Sequence, residues 1–144
     1  MAHPDLSDLD QAPPAPRAAD RGVVVVGFDE WAIRDAVDQL RAAGLATHRC
    51  TGSGEAAFPC NAMVPGRGCP LDQHDVGVVL DVRHRPSAEP TWSEMGAVCG
   101  LRAGIPLVTA GVPGMDGGFG PWARRVPPFG DIVTSCDDAL QARR

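Results

Sequence analysis

The chain has 144 residues, 44% of them hydrophobic, and carries 18 Asp and Glu against 13 Arg and no Lys, for a net charge of -5 at pH 7. That length suits one domain with a real core and is too short for two ordinary ones. The negative balance excludes a general nucleic-acid binder, which needs a basic surface, and the lack of Lys excludes a Schiff-base lysine and a P-loop lysine.

Residues 1–21 are rich in Pro, Ala and Asp, have few bulky apolar groups, and are expected to form a disordered tail. The domain then runs over 22–144. Val23 to Val26 has the signature of a buried strand, and Gly27 follows where the backbone must turn. Asp29 is a fair N-cap for a helix whose Ile33, Ala36, Val37 and Leu40 share one face and whose end is set by Gly44. Leu45 to Cys50 reads as a second, less apolar strand. Thr51 to Gln73 sits where a crossover helix would normally lie, but its Cys, Pro and Gly content leaves room for a short helical turn at most.

Val76 to Val82 is a nearly unbroken apolar run containing Asp81, as expected of a parallel strand covered on both faces. Thr91, Trp92, Ser93 and Glu94 open a helix with Trp92, Met95, Val98, Cys99 and Leu101 at helical spacing, stopped by Gly104 and Pro106. Ile105 to Ala110 is the next strand. Val112 to Gly130 is a Gly/Pro-rich loop with Phe119, Trp122 and Phe129. Its aromatics either pack onto the sheet edge or form a lid, with Trp122 stacking on a base and Arg124 or Arg125 meeting a phosphate. Asp131 to Ser135 is expected to be a last short strand, followed by a terminal helical turn or two.

Alternating strands and helices point to a single doubly wound α/β domain, Rossmann- or flavodoxin-like, with a parallel sheet of about five strands and a long Cys/Pro/Gly-rich insertion. Right-handed crossovers with one reversal give the strand order 2-1-3-4-5. The crevice then lies between strands one and three, rimmed by Gly27, Phe28, Asp29, Asp81, Arg83 and His84 as candidate ligand-binding positions.

Two acids stand out there. Thr91 and Glu94 have the spacing of a capping box, yet a first-turn carboxylate after strand three also faces the crevice. Asp81 keeps a charge at a strand end only near solvent or beside a donor such as Arg83; it either caps the loop or handles a proton or sugar hydroxyl. His84 lies between Arg83 and Arg85, and these arginines with the helix N-terminus at Thr91 read either as a solvated basic loop or as a phosphate site. Cys50, Cys60, Cys69 and His74 form a second constellation. They could hold zinc or an iron–sulfur cluster, form a reversible disulfide or be inert thiols, and no pair has C-x-x-C spacing.

Glu94, Gly96 and Ala97, followed by Gly104, Pro106, Leu107 and Val108, resemble the nucleoside 2-deoxyribosyltransferase-like superfamily over the segment from Asp75 to Gly111. The resemblance implies a small-molecule nucleoside, nucleotide or sugar-phosphate ligand, Glu94 as nucleophile at an anomeric carbon, and a homo-oligomer. Asp81 would supply the proton. The alternatives are a metal-binding or redox-sensing module built on the cysteines, or a non-catalytic interaction domain. The last is suggested by the absence of Tyr and by Ser87 to Pro90 in place of a glycine-rich lead-in.

No apolar run approaches a membrane span, and the amino terminus lacks the basic-then-apolar order of a signal peptide. Ala, Gly and Pro abundance beside all-Arg cations is the usage expected of a GC-rich bacterial genome. A cytoplasmic protein with reduced thiols, no membrane partner and no nucleic-acid partner is therefore expected.

Overall fold

The computed structural model describes residues 21–27, 30–51, 60–83, 94–111, 118–127 and 131–142. The expected tail up to residue 20 lies outside them, as do Phe28, Asp29, His84 and Thr91.

Five strands form one parallel sheet: β1 (Gly22–Gly27), β2 (Thr47–Arg49), β3 (Val76–Val82), β4 (Leu107–Ala110) and β5 (Ala123–Arg125), in the order β2-β1-β3-β4-β5. Among the described residues, four α-helices accompany them: α1 (Glu30–Ala42), α2 (Pro70–Gln73), α3 (Met95–Arg102) and α4 (Ile132–Gln141). This is the doubly wound α/β architecture expected, with the reversal of strand order between β1 and β3. No described helix is long and apolar enough to cross a membrane.

Side-chain alternation assigns the two faces. Val23, Val25, Val78 and Leu80 meet Ile33 and Leu40 of α1 and Cys136, Ala139 and Leu140 of α4. Val24, Val26 and Val79 meet Ala97 of α3, with Leu71 of α2 packed at the margin. By the same parity Asp81 belongs with Val79, on the α3 side.

The two long crossover helices end alike. Gly44 (φ 84°) and Gly104 (φ 73°) take the left-handed conformation that a Cβ disfavours. Around them Leu45 N–H bonds to Leu40 C=O, and Ile105 N–H to Gly100 C=O, as in Schellman caps.

Two expectations are corrected. The fifth strand is Ala123–Arg125, whereas Asp131 to Ser135 opens α4: Asp131 caps it, its carboxylate accepting from Thr134 N–H at 2.7 Å and from the Thr134 hydroxyl at 3.1 Å. The β-branched pair Ile132 and Val133 suggested a strand, but Cys136, Ala139 and Leu140 continue a helical stripe. The face of α3 also differs. Gly96, Ala97 and Gly100 lie against the sheet, while Met95 and Cys99 are exposed. A Cβ on Gly96 would stand 2.6 Å from Val26 and 2.7 Å from the Cys50 sulfur, and one on Gly100 2.5 Å from Val79, so only small residues allow this approach.

Candidate functional site

The carboxyl ends of β3 and β4 and the start of α3 bring together a buried ionic cluster. Register aligns Val26 with Asp81 and Asp81 with Thr109, which fixes Asp81 beside the switch point between β1 and β3. Glu94 is the N-cap of α3, but its side chain makes no capping hydrogen bond. Instead Arg83 Nη2 donates to Glu94 Oε1 at 2.7 Å, and Arg83 Nε stands 3.7 Å from Asp81 Oδ2. All three side chains are essentially inaccessible to solvent.

Two acids and one guanidinium cannot all be charged comfortably in such a place. Burial pushes the Asp81 carboxyl up to about 9, helped by its hydrogen bond with Glu94 and that group's charge, with Arg83 opposing. As a carboxylate, Asp81 has no hydrogen-bond partner for either oxygen among the described residues. Two carboxyl groups can bond to one another only with a proton between them, so a neutral Asp81 fits a cluster in which two acids meet one guanidinium.

At the same edge of the sheet but on its α1 face, a hollow of about 170 Å³ is lined by Trp31, Asp35 and Gln39 of α1, Arg83, Gly111 and Ile132 among others; Arg83 reaches it, while Asp81 and Glu94 do not line it. Gly111 is required by close contact: a Cβ there would collide with the Arg83 carbonyl. The hollow is smaller than the ~300 Å³ at the low end of small-molecule pockets, so it takes one group of a ligand rather than a whole nucleotide.

The structure thus brings Asp81, Arg83 and Glu94 together, with Gly27 on the neighbouring strand paired to Val82. Arg83, expected on the rim as a phosphate donor, is an interior counter-ion. Trp122 stands apart. It is 66% exposed and precedes β5, whose Ala123 pairs with Leu107 at the amino end of β4, whereas Arg125 is at the level of Thr109 and Asp81. A stacking role for Trp122 over the crevice has no geometric basis.

The cysteine constellation is also rearranged. Cys50 is buried beneath Gly96; Cys60 pairs with Thr51 in an antiparallel bridge; Cys69 is the N-cap of α2. His74 stacks on His48, with ring centroids 3.8 Å apart and planes 10° from parallel. Among the described residues, no group of three or more His, Cys, Asp or Glu side chains is arranged to hold a metal ion. Cys50 is pushed up to about 12 by burial, with smaller contributions from Cys69, Cys99 and Cys60, which marks it as a core thiol facing other thiols.

Sequence reasoning missed the α1 side of the hollow, Trp31 and Asp35. The signal available was their position in the first turns of the helix after β1, which in a 2-1-3-4-5 sheet flanks the switch point. No protein-family model matches the chain, and no curated protein or solved structure matches it either.

Proposed function

We propose that this protein binds a nucleoside, nucleotide or sugar phosphate at the carboxyl edge of its sheet, beside the switch point between β1 and β3. The observation that carries this reading is the Asp81–Arg83–Glu94 cluster. Buried charges cost several kcal/mol each unless closely compensated, and an apolar trio would pack the same space more cheaply, so such groups concentrate where a ligand is handled. The hollow on the α1 face, which shares Arg83 with the cluster, supplies room for one sugar or phosphate group.

In this reading the two acids divide as N-glycosidic chemistry requires: Glu94, bonded by Arg83 at 2.7 Å, is the nucleophile, and Asp81, whose carboxyl burial pushes up to about 9, carries the proton. Attack by Glu94 on an anomeric carbon has a further condition. Glu94 must be uncovered and must release Arg83, because in the present arrangement no substrate atom reaches it.

A thermal-shift panel of nucleosides, nucleotides and sugar phosphates tests the binding. A compound that raises the melting temperature of the native protein, and does so less for Trp31→Ala and Asp35→Ala, supports the reading. A panel without a single shift, or shifts unchanged in both variants, overturns it. A second reading, thiol-based sensing, draws on the mutual influence of Cys50, Cys60, Cys69 and Cys99. Stoichiometric zinc or iron in protein purified without chelator, lost in Cys60→Ser, would favour it.

A further inference from the structure

A second hollow, of about 290 Å³, opens beside the edge strand β2, away from the carboxyl cluster. Its polar lining is His48, Arg49, Asn61, Arg67, Gln73 and His74; the remainder is Gly and Pro, and no described carboxylate faces it. In a chain with 18 acidic residues against 13 basic ones, a wall with two Arg, two His and two amides and no carboxylate among its lining residues is a marked segregation of charge. The Arg49 guanidinium is matched by Glu30 through two bonds, at 2.6 and 2.5 Å. Arg67 is exposed and held over the hollow by a bond from its Nη1 to Asn61 Oδ1 at 3.4 Å.

The imidazoles add to the donors. Stacking two ionisable rings at 3.8 Å disfavours charging both. The groups that face His48 are His74 from the segment before β3, Arg41 from α1, and Arg49 from its own strand with Glu30 as counter-ion. Burial first, then His74 and Arg41, holds the His48 imidazole below its usual range. An anion seated among these groups would accept their hydrogen bonds and relieve their repulsion at once.

We infer that this hollow is a binding site for a small oxyanion of the phosphate class, either free phosphate or the phosphoryl end of a metabolite, held by Arg67, His48 and His74. Its volume is near the ~300 Å³ lower bound of small-molecule pockets, which suits a phosphoryl group with a short substituent.

The test is a titration of the full chain with inorganic phosphate at constant ionic strength, following the imidazole C–H resonances by NMR. The expected result is a saturable shift of two of the four histidine signals, assigned to His48 and His74 by His48→Gln and His74→Gln. Arg67→Ala, at an exposed position, should weaken binding about tenfold, as expected for loss of a charge-assisted hydrogen bond. Saturation by sugar phosphates at lower concentration than by free phosphate would support the phosphoryl-end form of the inference. No saturable shift of His48 or His74, or an unchanged affinity in Arg67→Ala, would overturn it, and so would binding of citrate but not phosphate. A response confined to the other two histidines would overturn this inference.

Discussion

Replacing Asp81 with Asn should flatten the pH dependence of stability between about pH 5 and 8.5. In the folded chain Asp81 holds its proton up to about 9, whereas in the unfolded chain it releases it near the ordinary aspartate value of 3.8. Between those values the folded state binds one more proton than the unfolded state, so the Asp81 contribution is complete below pH 3.8 and is lost as pH rises toward 9. One proton corresponds to a slope of about 1.4 kcal/mol per pH unit, whatever the size of the shift, or roughly 4 kcal/mol over three units. Asn has nearly the same shape, stays neutral, and can donate an amide N–H to Glu94 where the acid donates its O–H, so near pH 6 the variant should lie within about 1 kcal/mol of the native protein. The assay is urea denaturation followed by tryptophan fluorescence at several pH values for both proteins, read as their difference so that other titrating groups cancel. The curves should cross, with the variant the more stable at alkaline pH. Parallel profiles would show that Asp81 is ionised in the folded state and would refute the proton-sharing account of the cluster.

Glu94→Ala should destabilise by about 3–5 kcal/mol, because it strips a buried guanidinium of its 2.7 Å partner; chemical denaturation measures this, and a loss below ~1 kcal/mol would make the ion pair incidental. Gly96→Ala should destabilise by roughly 1–3 kcal/mol despite the better helix propensity of Ala, since the new Cβ meets Val26 and Cys50; an unchanged urea midpoint would contradict the close approach of α3. In a thiol-labelling time course near pH 8, Cys99 should react in the native protein while Cys50 and Cys136, buried and each pushed up to about 12, react only after unfolding; early modification of Cys136 would contradict its placement on the buried face of α4.

Local pattern carried most of the fold. The valine run at Val23–Val26, the apolar run at Val76–Val82 and the glycine stops at Gly44 and Gly104 are short-range signals whose physics is the same in any context. With right-handed crossovers they lead to the observed strand order. They failed where local preference and long-range packing disagree. Ile132 and Val133 favour a strand by propensity but are drawn into a helix by the Asp131 cap and the face presented to Leu80 and Val108. Bulky residues of α3 suggested its inner face, yet the sheet accepts only Gly96, Ala97 and Gly100 there.

At the site, the sequence by itself determined which residues could bear charge near the switch point: Asp81 on the strand and Glu94 opening the next helix. Only the tertiary structure decided their state. Whether a carboxyl group keeps its proton depends on the solvent it loses and the groups that surround it, here Arg83 folded inward between two acids thirteen residues apart. The same holds for His48 and His74, distant in the chain and stacked in space. Spacing along a chain reports which groups can be neighbours; desolvation and mutual charge, which set their chemistry, exist only once the chain has closed around them.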